Sequence, residues 1–197
     1  MAPQSSLLFS LLHCSTFFLY QANYARLRKN NQYADEGKLL VEKMPLARKI
    51  TKIAFVWSTF FVLISFWVPP ETLGFWDGPL ALRIFGLLLT FVAFLFLKKS
   101  LKQLGKNYSP LFDTHKPHFI VKNGVYKYIR HPVYLCNMLI ILGYVLSSLS
   151  LWVLISSIWG WSYMIHSILK EERFLQNEFI DYKEYQKTSW RIIPFLF

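Results

Sequence analysis

The stretch Val133–Leu169 reads VYLCNMLIILGYVLSSLSLWVLISSIWGWSYMIHSIL and contains no Asp, Glu, Lys or Arg. About 18 or more consecutive apolar residues are enough for a helix to cross the hydrocarbon core of a bilayer. This stretch has about twice that length. It therefore predicts two membrane helices joined by a tight turn, and the polar cluster Ser147–Ser150 is the expected turn.

Three further apolar runs precede this stretch, at Ser6–Tyr20, Ile50–Val68 and Leu80–Leu97. Arg83 lies within a turn or so of the start of its run, from which a long basic side chain can reach the interface. Ser6–Tyr20 lacks a basic segment before it, so we expect a retained helix rather than a cleaved signal peptide. The sequence thus predicts an all-α integral membrane protein with five transmembrane helices.

Basic residues are concentrated in alternate loops and give a net charge of +11. They are Arg26, Arg28, Lys29, Lys38, Lys43, Arg48, Lys49 and Lys52 in one loop, then Lys98, Lys99, Lys102, Lys106, Lys116, Lys122, Lys127 and Arg130 in the other. The loop Pro69–Pro79 has no Lys or Arg. This positive-inside pattern predicts an external N-terminus and a cytoplasmic C-terminus. Topology and anionic lipid explain the charge, so we expect no nucleic-acid partner.

The densest group of polar and aromatic residues runs from His118 to Tyr134 and precedes the long apolar stretch. Pro132 suits the first turn of a helix, which should therefore begin there, at the cytoplasmic face. The N-terminus of such a helix attracts carboxylate or phosphate groups, and Arg130 and His131 lie beside it. Taken alone, Arg-His-Pro at a membrane edge is also consistent with a basic flank, a cap and a helix start.

A second candidate is the pair Glu171-Glu172, which directly follows the apolar stretch. Adjacent helical residues point about 100° apart, so one carboxylate can face the helix bundle while the other faces water. The inward carboxylate would hold a cationic ligand or a basic residue of the second loop. The alternative is a solvated helix end, although acids oppose the dipole at a C-terminus. Because acids are disfavoured at a helix end, a further possibility is that the helix does not end here and continues into the tail.

The remaining features give weaker indications. Leu175, Phe179, Tyr182 and Gln186 form one stripe and predict a helical tail that ends at Pro194, with Tyr182 and Tyr185 as packing residues. His166 lies close to the end of the apolar stretch, where a histidine is a functional candidate. Cys14 and Cys136 indicate neither a disulfide framework nor a metal site.

The motifs resemble those of the isoprenylcysteine carboxyl methyltransferase family of integral membrane enzymes. The similar pattern is His118-x-x-Val121-x-x-Gly124-x-Tyr126-x-x-x-Arg130-His131-Pro132-x-Tyr134, then Glu171-Glu172-x-x-Leu175-x-x-x-Phe179, Tyr182-x-x-Tyr185 and Arg191-x-x-Pro194. The segment Leu104-Gly105-x-Asn107-Tyr108-Ser109 also resembles the preceding loop of the family. The resemblance covers residues 98–194, so we divide the chain into three N-terminal helices, 1–97, and a methyltransferase core, 98–197.

The resemblance implies S-adenosylmethionine as the methyl donor, with no metal. The implied cofactor-binding residues are His118, Phe119, Ile120, Val121, Tyr126, His131, Pro132, Val133, Tyr134 and Glu171. The N-terminus of the helix at Pro132 would receive the methionine carboxylate, and Glu171 would meet the amino group or the sulfonium. We assign Glu171, Arg130 and His166 as candidate catalytic residues. A lipophilic or prenylated acceptor would enter from the bilayer, and catalysis would consist mostly of positioning.

The chain departs from the family pattern at two places. Carboxyl methyltransferases of the family carry an Arg four residues before the paired Glu, where this chain has Ser167. His166 or Lys170 would have to replace that Arg, whose bidentate fork is not easily substituted. The tail also lacks the usual Gly after Phe179, and the spacing from Phe179 to Tyr182 is one residue short, so the tail must turn differently.

Several functions stay open at this point. An isoprenylcysteine-type carboxylate is the default acceptor, and Ser167 leaves a phospholipid amine or a thiol as alternatives. A sterol-reductase-like enzyme that uses NADPH on a similar helical core is a second possibility, although this chain is short for that class. A third is a membrane protein that keeps the fold as a lipid or partner adaptor without catalysis.

Overall fold

The computed structural model describes Phe60, residues 78–108 and residues 119–194. Within this part the chain forms four helices: α1 (Leu80–Leu104), α2 (Pro132–Ser148), α3 (Leu151–Glu178) and α4 (Tyr182–Thr188). Two short 3₁₀ turns, Gly105–Asn107 and Gly124–Lys127, lie between α1 and α2. Ser6–Tyr20 and all of Ile50–Val68 except Phe60 lie outside the described residues. The described part has no β-strand, which confirms the all-α prediction.

The long apolar stretch folds as two helices, as predicted. Pro132 is the first residue of α2, and Leu149 and Ser150 separate α2 from α3. Leu149 ends α2 in the left-handed conformation, at φ 50°, and its N–H donates to Val145 O over 3.0 Å. A left-handed residue is a common way to end a helix, because it satisfies carbonyls of the last turn. The predicted turn therefore lies at its expected place.

α1 is the one helix in the described ranges that is both long and apolar enough to cross a membrane. α2 is also apolar and has 17 residues. The outer surface of α1 exposes large apolar side chains, namely Ile84, Phe85, Leu88, Phe91, Val92, Leu95 and Phe96. A soluble protein rarely exposes so continuous an apolar surface, so this face of α1 supports a membrane location.

α1 and α2 cross at a contact made by small residues. A Cβ added to Gly143 would lie 2.1 Å from Thr90 Oγ1 and 2.6 Å from Gly86 O, and a Cβ on Gly86 would lie 2.6 Å from Gly143 O. Small residues at helix crossings in membranes allow the two backbones to approach closely. This contact fixes the position of α2, and hence of its N-terminus, against α1.

The guanidinium of Arg83 is turned into the protein. It lies near the start of α1 as expected, yet it is only 7% exposed. Its Nη1 donates to Ser147 O over 3.1 Å and to Ser148 O over 3.3 Å. These carbonyls lie at the negative end of the α2 dipole, where a cation is stabilised. Arg83 therefore caps α2 instead of extending to the interface.

The helices extend further than the apolar runs. α1 continues past Leu97 to Leu104 and is capped by Gly105, which adopts φ 53°, so the residues directly after the apolar run are also helical. α3 continues past the acidic pair to Glu178. Of the two alternatives, the helix thus continues beyond the acidic pair, and Glu171 and Glu172 are not at a helix end. The prediction that the helical tail ends at Pro194 is wrong, because α4 ends at Thr188. The break at Phe179–Asp181 then separates α3 from α4.

Candidate functional site

The segment after α4 pairs with the segment before α2. Trp190 N–H donates to Tyr128 O over 2.8 Å, Arg130 N–H donates to Trp190 O over 2.8 Å, and His131 N–H donates to Arg191 O over 3.1 Å. This short parallel contact joins residues that lie about sixty positions apart in the chain. It brings the tail, the start of α2 and the last turns of α3 to one place.

Glu172 lies at the centre of the region where the tail, the start of α2 and the last turns of α3 meet. It is 3% exposed and belongs to the buried stripe of α3 that also includes Ile168 and Leu175. Arg130 Nε donates to Glu172 Oε1 over 2.8 Å, and Arg191 Nε donates to Glu172 Oε2 over 2.8 Å. One carboxylate therefore holds an arginine from the segment before α2 and another from the tail, and we call these three residues the arginine clamp.

The charge of Glu172 is maintained by its neighbours. Burial alone would raise the pKa of Glu172, but the hydrogen bonds and charges of His131 and Arg130 outweigh burial and lower this pKa from its ordinary 4.5 to about 2. His131 Nε2 lies 3.4 Å from Glu172 Oε1. A buried carboxylate must be paired to stay ionised, and the two arginines supply that pairing.

Arg130 is also bound by the tail backbone. Its Nη1 donates to Gln186 O over 3.2 Å and to Ser189 O. The Nε and Nη1 groups of Arg130 are therefore both bound by groups of the protein itself. In this arrangement Arg130 holds the tail in place, which is a positioning role.

Glu171 has a different environment from Glu172. It is half-buried, its Oε2 accepts a hydrogen bond from Tyr134 Oη over 2.9 Å, and it forms no ion pair with any described residue. Tyr134 is 8% exposed and its ring meets the ring of His131 edge to face at 5.6 Å. Glu171 is thus an oriented carboxylate whose negative charge is not neutralised within the described part of the chain.

The N-terminus of α2 lies directly beside these groups. Pro132 occupies its first position, His131 precedes it, and no side chain caps it. The N–H groups of a first helical turn lack intrahelical acceptors and carry the positive end of the dipole. The acidic Glu171 and the electropositive end of α2 are therefore adjacent, a pairing that suits a zwitterionic ligand.

Tyr126 connects the segment before α2 to both α1 and α4 through hydrogen bonds. Its hydroxyl donates to Ser100 O of α1 over 3.4 Å, and its carbonyl accepts the hydroxyl of Tyr185 from α4. Burial raises the pKa of Tyr126 well above its ordinary value, with a smaller effect from Glu171. Burial also raises the pKa of Tyr185, to about 12. Both phenols are neutral near pH 7 and act as hydrogen-bond donors.

The other predicted cofactor-binding residues differ in their burial and in the residues that they contact. Ile120 packs against Leu175, Tyr182 and Tyr185, and Val121 is buried beside it, so this segment covers the end of α3. Phe119 is 61% exposed. Val133 belongs to the apolar cluster between α1 and α2 rather than to the acidic pair. Pro132 is buried.

Two predicted site residues are not placed with the others. His118 lies outside the described residues. His166 is exposed and lies about 200° around α3 from buried Ile168, so its side chain is not brought to Glu171. Ser167, which lies five residues before Glu172 on α3, donates its hydroxyl to Tyr163 O over 2.8 Å.

Two residues that shape the site, Arg191 and Ser189, were not assigned a role from the sequence, and a third, Tyr182, was predicted only to pack. Arg191 pairs with Glu172, Ser189 contacts Arg130, and Tyr182 is 1% exposed beside the acidic pair. The motif Arg191-x-x-Pro194 was a signal for the first of these. Nothing in the spacing of Ser189 or Tyr182 indicates more than packing.

The chain is similar over much of its length to known proteins. A family model described as phospholipid methyltransferase matches residues 81–181. The protein-S-isoprenylcysteine O-methyltransferase of Dictyostelium discoideum is 26% identical over 190 residues, which cover 91% of this chain and 73% of that protein. The cobalt-zinc-cadmium resistance protein CzcN of Cupriavidus metallidurans is 32% identical over 123 residues, 61% of this chain and 52% of that protein.

The fold is similar to a solved structure. The eukaryotic intramembrane Ras methyltransferase, isoprenylcysteine carboxyl methyltransferase, superimposes with a TM-score of 0.54 at 22% identity, covering 80% of this chain and 55% of that one. The chain thus spans about half the length of that protein and of CzcN. At this identity the likeness describes the helical fold of a membrane protein.

Proposed function

The chain belongs to the phospholipid methyltransferase family, and on that premise we propose that it transfers a methyl group from S-adenosylmethionine to a lipophilic acceptor in the membrane. The predicted resemblance to a membrane methyltransferase is confirmed by the family match and by the relative from Dictyostelium discoideum. The observation that supports the cofactor assignment most strongly is Glu171, which Tyr134 orients and no described cation neutralises.

The residues present fit a cofactor of this kind. S-adenosylmethionine supplies an electrophilic methyl group on a sulfonium, and its amino acid end carries one ammonium and one carboxylate. A free carboxylate on Glu171 suits the ammonium or the sulfonium, and the uncapped N-terminus of α2 suits the carboxylate. The aromatic rings of Tyr126 and Tyr134 are groups that can attract a cation.

We assign the remaining roles as follows. Ile120 and Val121, which pack at the end of α3, form the cover of the cofactor site. His118 and Phe119 remain predicted cofactor-binding residues. Arg130 acts through the arginine clamp, in which Glu172 binds its Nε and two tail carbonyls bind its Nη1. It is therefore a positioning residue in this proposal rather than a group that touches the substrate.

The role of His166 stays a prediction. Its side chain is exposed on the side of α3 opposite Ile168, so it would have to meet an acceptor that approaches along the outer face of the helix.

An isoprenylcysteine-type carboxylate is the default acceptor, as acted on by the enzyme from Dictyostelium discoideum. One observation favours a second candidate, a phospholipid amine. Ser167 donates its hydroxyl to its own helix at Tyr163 O, so it offers no donor to an acceptor carboxylate. A neutral amine acceptor needs no cationic partner at this position, and the matched family is named for phospholipid substrates.

The arrangement in the membrane follows from charge and length. We propose five transmembrane helices, with the N-terminus outside and the C-terminus and active site in the cytoplasm, because the basic loops alternate. Residues 1–97 form the N-terminal part and residues 98–197 the catalytic core. The family match begins at residue 81, within α1, so α1 contributes to this core through its contact with α2.

Membranes that contain or lack the protein test the proposed function. We would incubate both with methyl-labelled S-adenosylmethionine and identify labelled lipids and proteins. A labelled prenylated species identifies the carboxylate acceptor, and a labelled phospholipid identifies the amine. No label above the background of the control membranes, with the protein folded, would rule out methyl transfer to either acceptor.

A further inference from the structure

The hydroxyl of Tyr182 is buried without a partner. Tyr182 is 1% exposed, and its Oη forms no hydrogen bond with any described residue. Burying a hydroxyl without a compensating hydrogen bond costs free energy. A phenylalanine would fill the same space without this cost. The hydroxyl therefore needs an explanation that packing does not provide.

The neighbouring Tyr185 provides a direct comparison. The two rings meet edge to face, with centroids 5.9 Å apart, and both side chains are buried in one cluster with Leu175. The hydroxyl of Tyr185 donates to Tyr126 O. In the same cluster, one phenol is therefore satisfied by the protein and the other is not.

Tyr182 packs next to the acidic pair of the proposed cofactor site. Ile120 packs against the cluster of Tyr182, Leu175 and Tyr185, and Leu175 lies on α3 three positions after Glu172. Burial raises the pKa of Tyr182, followed by the charges of Glu172 and Glu171, so the phenol stays neutral and lies within the field of both carboxylates. A neutral phenol in such a field can accept a hydrogen bond from an ammonium or donate one to a carboxylate.

We propose that the Tyr182 hydroxyl is a ligand contact, and that it binds the amino acid end of the cofactor beside Glu171. This rests on the proposed function, since it requires a zwitterionic cofactor. In the ligand-free protein the hydroxyl is desolvated in advance, and the cofactor supplies the missing hydrogen bond. Tyr182 would then contribute to affinity at the expense of the stability of the free protein.

The test compares Tyr182→Phe with Tyr185→Phe in the purified full-length protein in detergent. Calorimetric titration with S-adenosylhomocysteine measures affinity, and thermal unfolding without ligand measures stability. We expect Tyr182→Phe to weaken binding about 10- to 150-fold, the loss expected for one hydrogen bond to a charged group, with an equal or higher unfolding temperature. Tyr185→Phe should lower the unfolding temperature because Tyr126 O loses its donor.

A shorter ligand tests which end of the cofactor is bound. Methylthioadenosine lacks the amino acid end, so Tyr182→Phe should leave its affinity unchanged. Equal weakening for both ligands would overturn the assignment to the amino acid end. Unchanged affinity for S-adenosylhomocysteine in Tyr182→Phe would overturn the inference while leaving the proposed function intact. A folded wild-type protein that binds neither ligand would instead overturn the proposed function itself.

If Tyr182→Phe does not fold, fluorine NMR on the otherwise unaltered protein gives the answer. A 3-fluorotyrosine placed at Tyr182 reports on the neighbourhood of its hydroxyl. Its resonance should shift on addition of S-adenosylhomocysteine and stay in place with methylthioadenosine. An unchanged resonance with S-adenosylhomocysteine, under conditions where binding is measured, would contradict the contact.

Discussion

Arg130 Nε donates a hydrogen bond to Glu172 Oε1 over 2.8 Å, between two buried side chains that lie 42 residues apart in the sequence. Arg191 Nε binds the other oxygen of the same carboxylate, also at 2.8 Å. One glutamate thus fastens both the start of α2 and the tail to α3. The adjacent Glu171 is left without an ionic partner in the described ranges. The two neighbouring carboxylates therefore differ: Glu172 is paired within the protein and Glu171 is available to a ligand.

Replacing Glu172 should destabilise the protein. In Glu172→Gln the buried Arg130 loses its counter-charge, and breaking a buried ion pair from one side costs about 3–5 kcal/mol. The measurement is unfolding of the purified protein in detergent. The matched control is Glu184→Gln, which breaks the exposed pair Glu184–Lys187 and should cost no more than about 0.5 kcal/mol. Equal stability of the two variants would contradict the clamp.

The clamp also predicts how stability depends on pH. The folded-state pKa of Glu172, about 2, is below its ordinary 4.5. A lowered carboxyl pKa stabilises the fold above the unfolded-state pKa, and this stabilisation is lost as pH falls through the folded-state pKa. The shift corresponds to about 3 kcal/mol. Between about pH 5 and pH 2 the unfolding temperature of the wild type should therefore fall towards that of Glu172→Gln. If the unfolding temperatures of the wild type and of Glu172→Gln changed in parallel over that pH range, Glu172 would be excluded as the titrating group.

Two glycines allow a matched test of the contact between α1 and α2. In Gly143→Ala the new Cβ would lie 2.1 Å from Thr90 Oγ1 and 2.6 Å from Gly86 O, so the helices must separate, at a cost of about 1–3 kcal/mol. In Gly160→Ala the nearest atom is Ile141 Cδ1 at 3.8 Å, an ordinary contact. Alanine favours a helix by about 0.8–1 kcal/mol over glycine, so Gly160→Ala should be neutral or stabilising. Similar unfolding temperatures of Gly143→Ala and Gly160→Ala would show that α1 and α2 are not closely packed at Gly143.

Local rules predict much of this fold. Pro132 indicates the start of α2 because its missing N–H is not needed there, and the run of small polar residues after it locates the turn into α3. The acidic pair is placed correctly because two neighbours on a helix face different ways. These features depend on residues within a few positions of each other, which is the range over which sequence patterns are informative.

The long-range contacts are not predictable in the same way. Arg83 lies where a basic side chain would extend to the interface, yet it binds the carbonyls of Ser147 and Ser148, which a distant turn brings to it. The sequence also does not indicate which member of the acidic pair meets Arg191, since that depends on the backbone pairing of the tail with Arg130 and His131. Tertiary contacts decide both.

The central claim is that Glu171 binds a cationic cofactor while Glu172 holds the structure. Equilibrium binding of labelled S-adenosylmethionine to the purified protein in detergent tests it most directly. We expect saturable binding to the wild type and to Glu184→Gln. Glu171→Gln should bind at least about tenfold more weakly, about 1.4 kcal/mol, with an unchanged unfolding temperature. Wild-type affinity in Glu171→Gln, or no binding by a cooperatively folded wild type, would contradict it.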